Sequence, residues 1–246
     1  MNCRSIIIFE DAEDLFDEEV GKVTQSLKVT YADRHVTTFR FDPSKGDMAF
    51  EKLSGEESPA EGYEDAGAYV VAHGGGGRFM GPLGDNAIGT QQLAAKLVWL
   101  ANQGFRMKKL CFITCSAVAM IEGGKKPQPV PEELKPGVIS VQTFCRVIST
   151  TDTAGKLNGL MVAGYDEGVF LTADPNHTHP IKTREGSNIA QRMRPKLNAK
   201  GLPSKLQTYA NHKIIFVLEN GRWRFGKLSE YSDRAEWKGA LQKRGL

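Results

Sequence analysis

A chain of 246 residues, 40% hydrophobic and 25% charged, can bury one large core or two small ones, and its composition is that of a soluble globular protein. No apolar stretch approaches the ~20 residues of a membrane span, and four cysteines are too few for a disulfide framework, which points to reduced thiols and a reducing environment. The net charge of +3 hides an asymmetry: residues 1–180 carry 17 Lys+Arg against 24 Asp+Glu (−7), and residues 181–246 carry 15 against 5 (+10). The last quarter is therefore the part suited to an anionic partner.

Residues 5–10 read as a first strand. The run Ile6-Ile-Ile-Phe9 before Glu10 and Asp11 is too short for the apolar core of a secretory signal. Asp11 is an N-cap or first-turn acid for a helix over 11–27, where Phe16, Val20, Val23 and Leu27 recur at helical spacing. Residues 35–41 alternate and are β-rich, a second strand. Residues 42–67 mix Gly, Pro, Ser, Glu and Asp and suit a surface loop with a helical turn. A third strand over 68–73 ends at His73 and runs into Gly74 to Gly77. Thr90 opens a helix with Leu93, Leu97 and Leu100 on one face, and Gly104 ends it. A fourth strand over 109–115 ends at Cys115, followed by Ser116. Residues 122–135 hold three prolines and two glycines and form a loop. A fifth strand is expected over 137–144. Residues 160–172 and 213–228 look like antiparallel hairpins, the second turning at Asn220-Gly221, and 233–244 reads as a polar helix. This order argues for an α/β fold, a mainly parallel sheet covered by helices, followed by a β-rich extension. The expected division is a core over 1–180 and a basic extension with a hairpin over 181–246, packed on the same domain.

His73 and Cys115 close consecutive predicted strands. If those strands are parallel neighbours, their tips lie about 4.8 Å apart, at the edge where open α/β sheets place their sites. A thiol needs an adjacent base or positive charge to become nucleophilic at neutral pH. His73 would activate Cys115 and protonate the leaving amine. The oxyanion needs amide donors, for which the N–H groups of Gly74 and Cys115 are candidates. Other readings of the glycine run fare worse. No serine has glycine at both minus two and plus two, as an esterase requires. No phosphate loop or dinucleotide fingerprint fits beyond a loose match of the glycines. Cys111 and Cys115 would be half a zinc site with no second half, and His177 with His179 supplies only two ligands, so no metal is expected. A cysteine at a strand end is also a common buried hydrophobe. A non-enzymatic binder of the same fold therefore stays open, its basic part recognising a polyanion or a protein. Nucleic-acid binding ranks last, for want of a reading motif or a stacking series.

Tyr69-Val-Val-Ala-His-Gly74, the loop Arg78-Phe-Met-Gly81, a Leu/Ala helix and Leu110-Cys-Phe-Ile-Thr-Cys-Ser116 together resemble the caspase-like cysteine peptidases. The likeness is to the cysteine protease domain of large bacterial toxins, the clostridial glucosylating and multifunctional autoprocessing RTX toxins. It implies a three-layer α/β/α fold with a C-terminal β-hairpin flap, and a thiol endopeptidase cleaving a protein substrate. Asp11 falls where that family has the aspartate that orients its histidine. Ile139 to Val147, with Gly155-Lys156, looks like the strand and basic turn after the family's cysteine. The primary pocket would then lie near Thr143 to Arg146, with Ser116, Thr143 and Arg146 touching substrate. The resemblance implies no cofactor for the chemistry but activation by inositol hexakisphosphate, for which Lys156, Lys182, Arg184, Lys213, Arg222, Arg224 and Lys227 are the candidate contacts. The chain begins almost at the first strand, so a toxin or effector acting in trans is expected, cytoplasmic or delivered into a host cell without a conventional signal.

Overall fold

The computed structural model describes residues 3–11, 18–41, 49–72, 74–75, 78–79, 89–114, 117–121, 126–134, 140–165, 168–172, 181–185 and 213–227. In chain order the elements are β1 (Ser5–Asp11), α1 (Glu18–Thr30), β2 (His35–Phe41), β3 (Phe50–Ser54), β4 (Asp65–Val71), β5 (Gly74–Gly75), β6 (Arg78–Phe79), α2 (Thr90–Asn102), β7 (Arg106–Ile113), α3 (Val141–Thr151), β8 (Met161–Tyr165), β9 (Gly168–Thr172), β10 (Ile181–Glu185), β11 (Lys213–Glu219) and β12 (Arg222–Lys227).

Eight strands form one sheet in the order β12-β11-β8-β7-β4-β1-β2-β3. The five from β8 to β2 are parallel, and antiparallel strands close both edges. Helices cover both faces, so the middle strands are apolar on every residue rather than on alternate ones. Ile6, Ile7, Ile8 and Phe9 in β1 are all fully buried. Odd residues of β1 and even residues of β4 join α2 and α3 in one core, with Phe9, Val70, Leu97, Phe112 and Phe144. The opposite parity joins α1 in a second core, with Ile8, Tyr69, Val71, Cys111, Val23 and Leu27. The result is three layers, α/β/α, with a mainly parallel sheet, as expected.

Local chemistry accounts for the elements read correctly. β2 has the expected bounds. Gly104, which follows α2, takes φ +106°, a conformation open to glycine. The β11–β12 hairpin turns on Asn220 and Gly221, both at positive φ, as a tight two-residue turn demands. That hairpin lies at the edge of the main sheet, with β11 against β8.

Four expectations fail. Asp11, expected to cap or open the first helix, is the last residue of β1, whose register with β2 runs through to it. The strand over 137–144 is replaced by α3: Ser140 caps it, its Oγ accepting from the Thr143 N–H at 3.2 Å, and Val141, Phe144, Cys145 and Ile148 supply a helical stripe. Thr143 and Arg146 therefore sit on a helix. The window 160–172 is not one hairpin: β8 joins the main sheet and β9 pairs with β10. Within 42–67, β3 pairs antiparallel with β2. The expected helix over 233–244 lies outside the described residues.

Candidate active site

The parallel strands end along one edge of the sheet, at Asp11, Phe41, Val71, Ile113 and Tyr165. β4 and β7 run in step there, with Val71 opposite Ile113. The Ala72 N–H donates to the Ile113 carbonyl at 3.5 Å, so the two chains stay together past the strand ends. Ala72 and Thr114 are both buried. The next residues along each chain are His73 and Cys115. These two lie outside the described residues, as do Ser116, His177 and His179. Gly74 and Gly75 form β5 and pair antiparallel with Phe79 and Arg78 of β6, so these two glycines lie in a ribbon and not at the start of a helix as in a phosphate loop.

On the α1 side, the last row of residues before this edge runs across the sheet. Arg40 of β2 pairs with Glu10 of β1, which lies opposite Val71 of β4. Ile113 of β7 and Tyr165 of β8 each stand two residues beyond the Cys111–Ala163 pair, and Lys213 of β11 is opposite Tyr165. The middle of the row is apolar and aromatic, and its ends are charged. Glu10 is 9% exposed and bound by Arg40 at 3.2 Å, and Lys213 is 7% exposed with its Nζ 5.8 Å from the centre of the Tyr165 ring. Glu10 was not singled out from sequence. Strand parity is the signal that finds it, because residues 6, 8 and 10 share a face.

The chain leaving Cys115 is fixed by described residues. The Val118 N–H donates to the Tyr165 carbonyl at 3.0 Å, and the Ala117 carbonyl accepts from Val141 at 2.9 Å. Gln142, buried on α3, accepts from the Ala119 N–H at 3.1 Å and donates to the Ala119 carbonyl at 2.7 Å and to the Gln128 carbonyl at 3.2 Å. Its amide thus replaces a strand partner for the segment after the cysteine. Gly164 permits this approach: a Cβ there would stand 2.7 Å from a Val141 methyl and 3.0 Å from a Val118 methyl. The Thr114 hydroxyl is buried with no partner among the described residues.

Thr143, expected beside the primary pocket, is buried and engaged in the α3 cap, and Arg146 is half-buried one turn on. The candidate anion contacts separate. Lys156 lies in the turn after α3, near the β11–β12 turn, where Arg222 is exposed. Lys213 starts β11 at the other end, the length of that strand away, about 20 Å. Arg224 lies between them and is paired with Glu219 at 3.7 Å. Lys227 is next to the Lys213 end, opposite Ile214. Lys182 and Arg184 belong to β10, in a different sheet. These seven residues therefore do not form one cluster.

The described cysteines are buried thiols. Burial pushes the Cys3 thiol up, with Asp65 adding to it, and pushes Cys145 up strongly. Both are thereby held as unreactive thiols near neutrality. Among the described residues no group of three or more His, Cys, Asp or Glu could hold a metal, and no helix is long and apolar enough to cross a membrane.

Neither a protein-family model nor a curated protein matches the sequence. Among solved structures, a secreted C11 cysteine protease from Bacteroides thetaiotaomicron, in complex with an irreversible peptide inhibitor, is similar with a TM-score of 0.36 and 11% identity, over 92% of this chain and 66% of that one. The chain thus spans just under two thirds of that protease's length.

Proposed function

We propose that the chain is a cysteine peptidase, with Cys115 as nucleophile and His73 as general acid and base. The observation that supports this is the parallel pairing of β4 with β7 up to Val71 and Ile113, extended by the bond from the Ala72 N–H to the Ile113 carbonyl. His73 and Cys115 each come two residues after that last pair in the chain.

The Cys115 thiolate attacks the scissile carbonyl carbon, and the N–H groups of Gly74 and Cys115 stabilise the oxyanion. The His73 imidazolium gives its proton to the leaving amine, the C–N bond breaks and a thioester remains. His73 then takes a proton from water, which attacks the thioester and releases the carboxylate product and the thiol. Asp11, which ends β1, is the orienting carboxylate by resemblance. Glu10, beside it, is held by Arg40.

The test is proteolysis of a protein substrate by the wild-type chain, Cys115→Ala and His73→Ala. Loss of cleavage in both variants supports the reading, and undiminished cleavage by Cys115→Ala rejects it. Activation by inositol hexakisphosphate and a role as a toxin or effector rest on the resemblance alone. Equal cleavage with and without inositol hexakisphosphate rejects the activator and leaves the peptidase standing.

A further inference from the structure

A strand at the edge of a sheet offers a row of N–H and C=O groups to another strand. Among the described residues the main sheet has two such edges, β3 and β12, each paired with one neighbour. β12 runs with the five parallel strands, and β3 runs against them. A second copy set beside the first in the same orientation therefore brings its β12 antiparallel to β3, with the α1 faces of both copies on the same side.

The two edges match in charge. Residues 50–65 carry six Asp+Glu against one Lys, and residues 222–227 carry two Arg and one Lys with no acid. They also match in pattern, since residues directly opposite in a ladder share a face. On β3, Glu51 is opposite Arg40 on the α1 side, and Phe50 and Lys52 are opposite Phe41 and Phe39 on the α2–α3 side. On β12, Arg224 is opposite Val217 on the α1 side, and Trp223 and Phe225 are opposite Leu218 and Phe216 on the α2–α3 side. Setting Glu51 against Arg224 of the next copy puts Phe50 against Phe225 and Lys52 against Trp223, each pair on one face. These are an ion pair, an aromatic pair and a cation over an indole, all of which stabilise adjacent strands. Glu51, Lys52, Arg224 and Phe225 are exposed, and Phe50 and Trp223 are half-buried. Like edges lack this match: β12 against β12 brings together only positive charge, and β3 against β3 joins two acidic edges. We propose that the chain assembles head to tail, β3 of one copy against β12 of the next, into a sheet that continues through successive copies. Because the two surfaces differ, copies add beyond the dimer, into a ring or an open fibre. The proposal does not depend on the peptidase reading.

The test is sedimentation velocity of the full chain over a rising concentration series. The expected result is a mean mass that climbs past that of two chains. Glu51→Arg and Arg224→Glu should each weaken association about tenfold or more, since an attraction becomes a repulsion. An equal mixture of the two variants should recover it, because the altered β3 of one meets the altered β12 of the other. The double variant, Glu51→Arg with Arg224→Glu, should assemble as the wild type does, which separates loss of contact from loss of fold. A chain that stays monomeric at every concentration, as it would if its own residues 228–246 covered β12, overturns the proposal. So does an assembly that stops at the dimer, or a mixture and double variant that associate no better than either single variant.

Discussion

On the α2–α3 side of the sheet the buried residues run without a charge from Phe41 and Phe9 to Phe216 and Leu218, and rings close the gaps, with Phe112 edge-on to Phe144 at 5.2 Å. On the α1 side the apolar centre gives way to the hydroxyl pair of Tyr31 and Tyr69, 2.5 Å apart, and at the carboxyl edge to Glu10 and Lys213. Buried charge is costly and adds nothing to packing. Among the described residues, its presence on one side and absence on the other separates a uniformly apolar face from one that carries charge at the carboxyl edge. Local breaks of the packing rules are expected where function resides.

The comparison breaks most sharply if changes on the two sides have the same effect. Cys115→Ala should lower turnover by about 10⁴-fold or more, as loss of a nucleophile does, with the unfolding midpoint in urea nearly unmoved. Phe144→Ala, in the middle of the packed face, should do the reverse. It should cost about 3–5 kcal/mol of stability in the same unfolding experiment, with turnover per folded molecule retained.

Gln142 connects the two sides, since it sits on α3 but holds the segment that follows Cys115. Gln142→Leu removes the partner of the Ala119 N–H and of the Gln128 carbonyl, while the Ala119 carbonyl keeps the Gln128 N–H, and should cost about 1–3 kcal/mol. It should also lower kcat more than it raises KM, because the displaced group is the chain carrying the nucleophile. An unchanged kcat with reduced stability would make Gln142 a packing residue alone. The smallest effect is on the α1 side. Tyr69→Phe removes the bond to Tyr31 and should cost about 1 kcal/mol. Burial, and next Tyr31, raises the Tyr69 phenol above its usual 10. The folded chain therefore keeps a proton that the unfolded chain releases. That contribution is complete below about pH 10 and declines as pH rises, by up to about 1.4 kcal/mol per unit for one proton. Tyr69→Phe should flatten the alkaline fall in stability by that amount, and an identical slope in both proteins would contradict it.

Much of the frame was legible in the chain itself because single residues decide it. An uninterrupted apolar run marked β1 as a strand covered on both sides, and Asn220-Gly221 fixed the register of the last hairpin. α3 was misread because the window 137–144 stops before Cys145 and Ile148 complete the helical stripe, while Val and Ile before it favour a strand. β3 escaped notice because an edge strand has little to bury: Glu51, Lys52, Leu53 and Ser54 are all exposed. At the site, the two apolar runs were legible as strands, and they are parallel neighbours that end at Val71 and Ile113, while His73 and Cys115 lie outside the described residues. What no local pattern could supply was the row across six strands. Glu10 and Lys213 are 203 positions apart in the chain, and only the sheet order brings them onto one edge.

The most direct measurement is reaction of the native chain with an irreversible electrophilic peptide, followed by mass spectrometry. Cys111 and Cys115 share one tryptic peptide, residues 110–125, so fragment ions must locate the adduct. The account predicts a single adduct on Cys115, formed much more slowly in His73→Ala, with Cys111 unlabelled because it is fully buried in β7. An adduct on Cys111, or labelling of Cys115 at the same rate with and without His73, would contradict it.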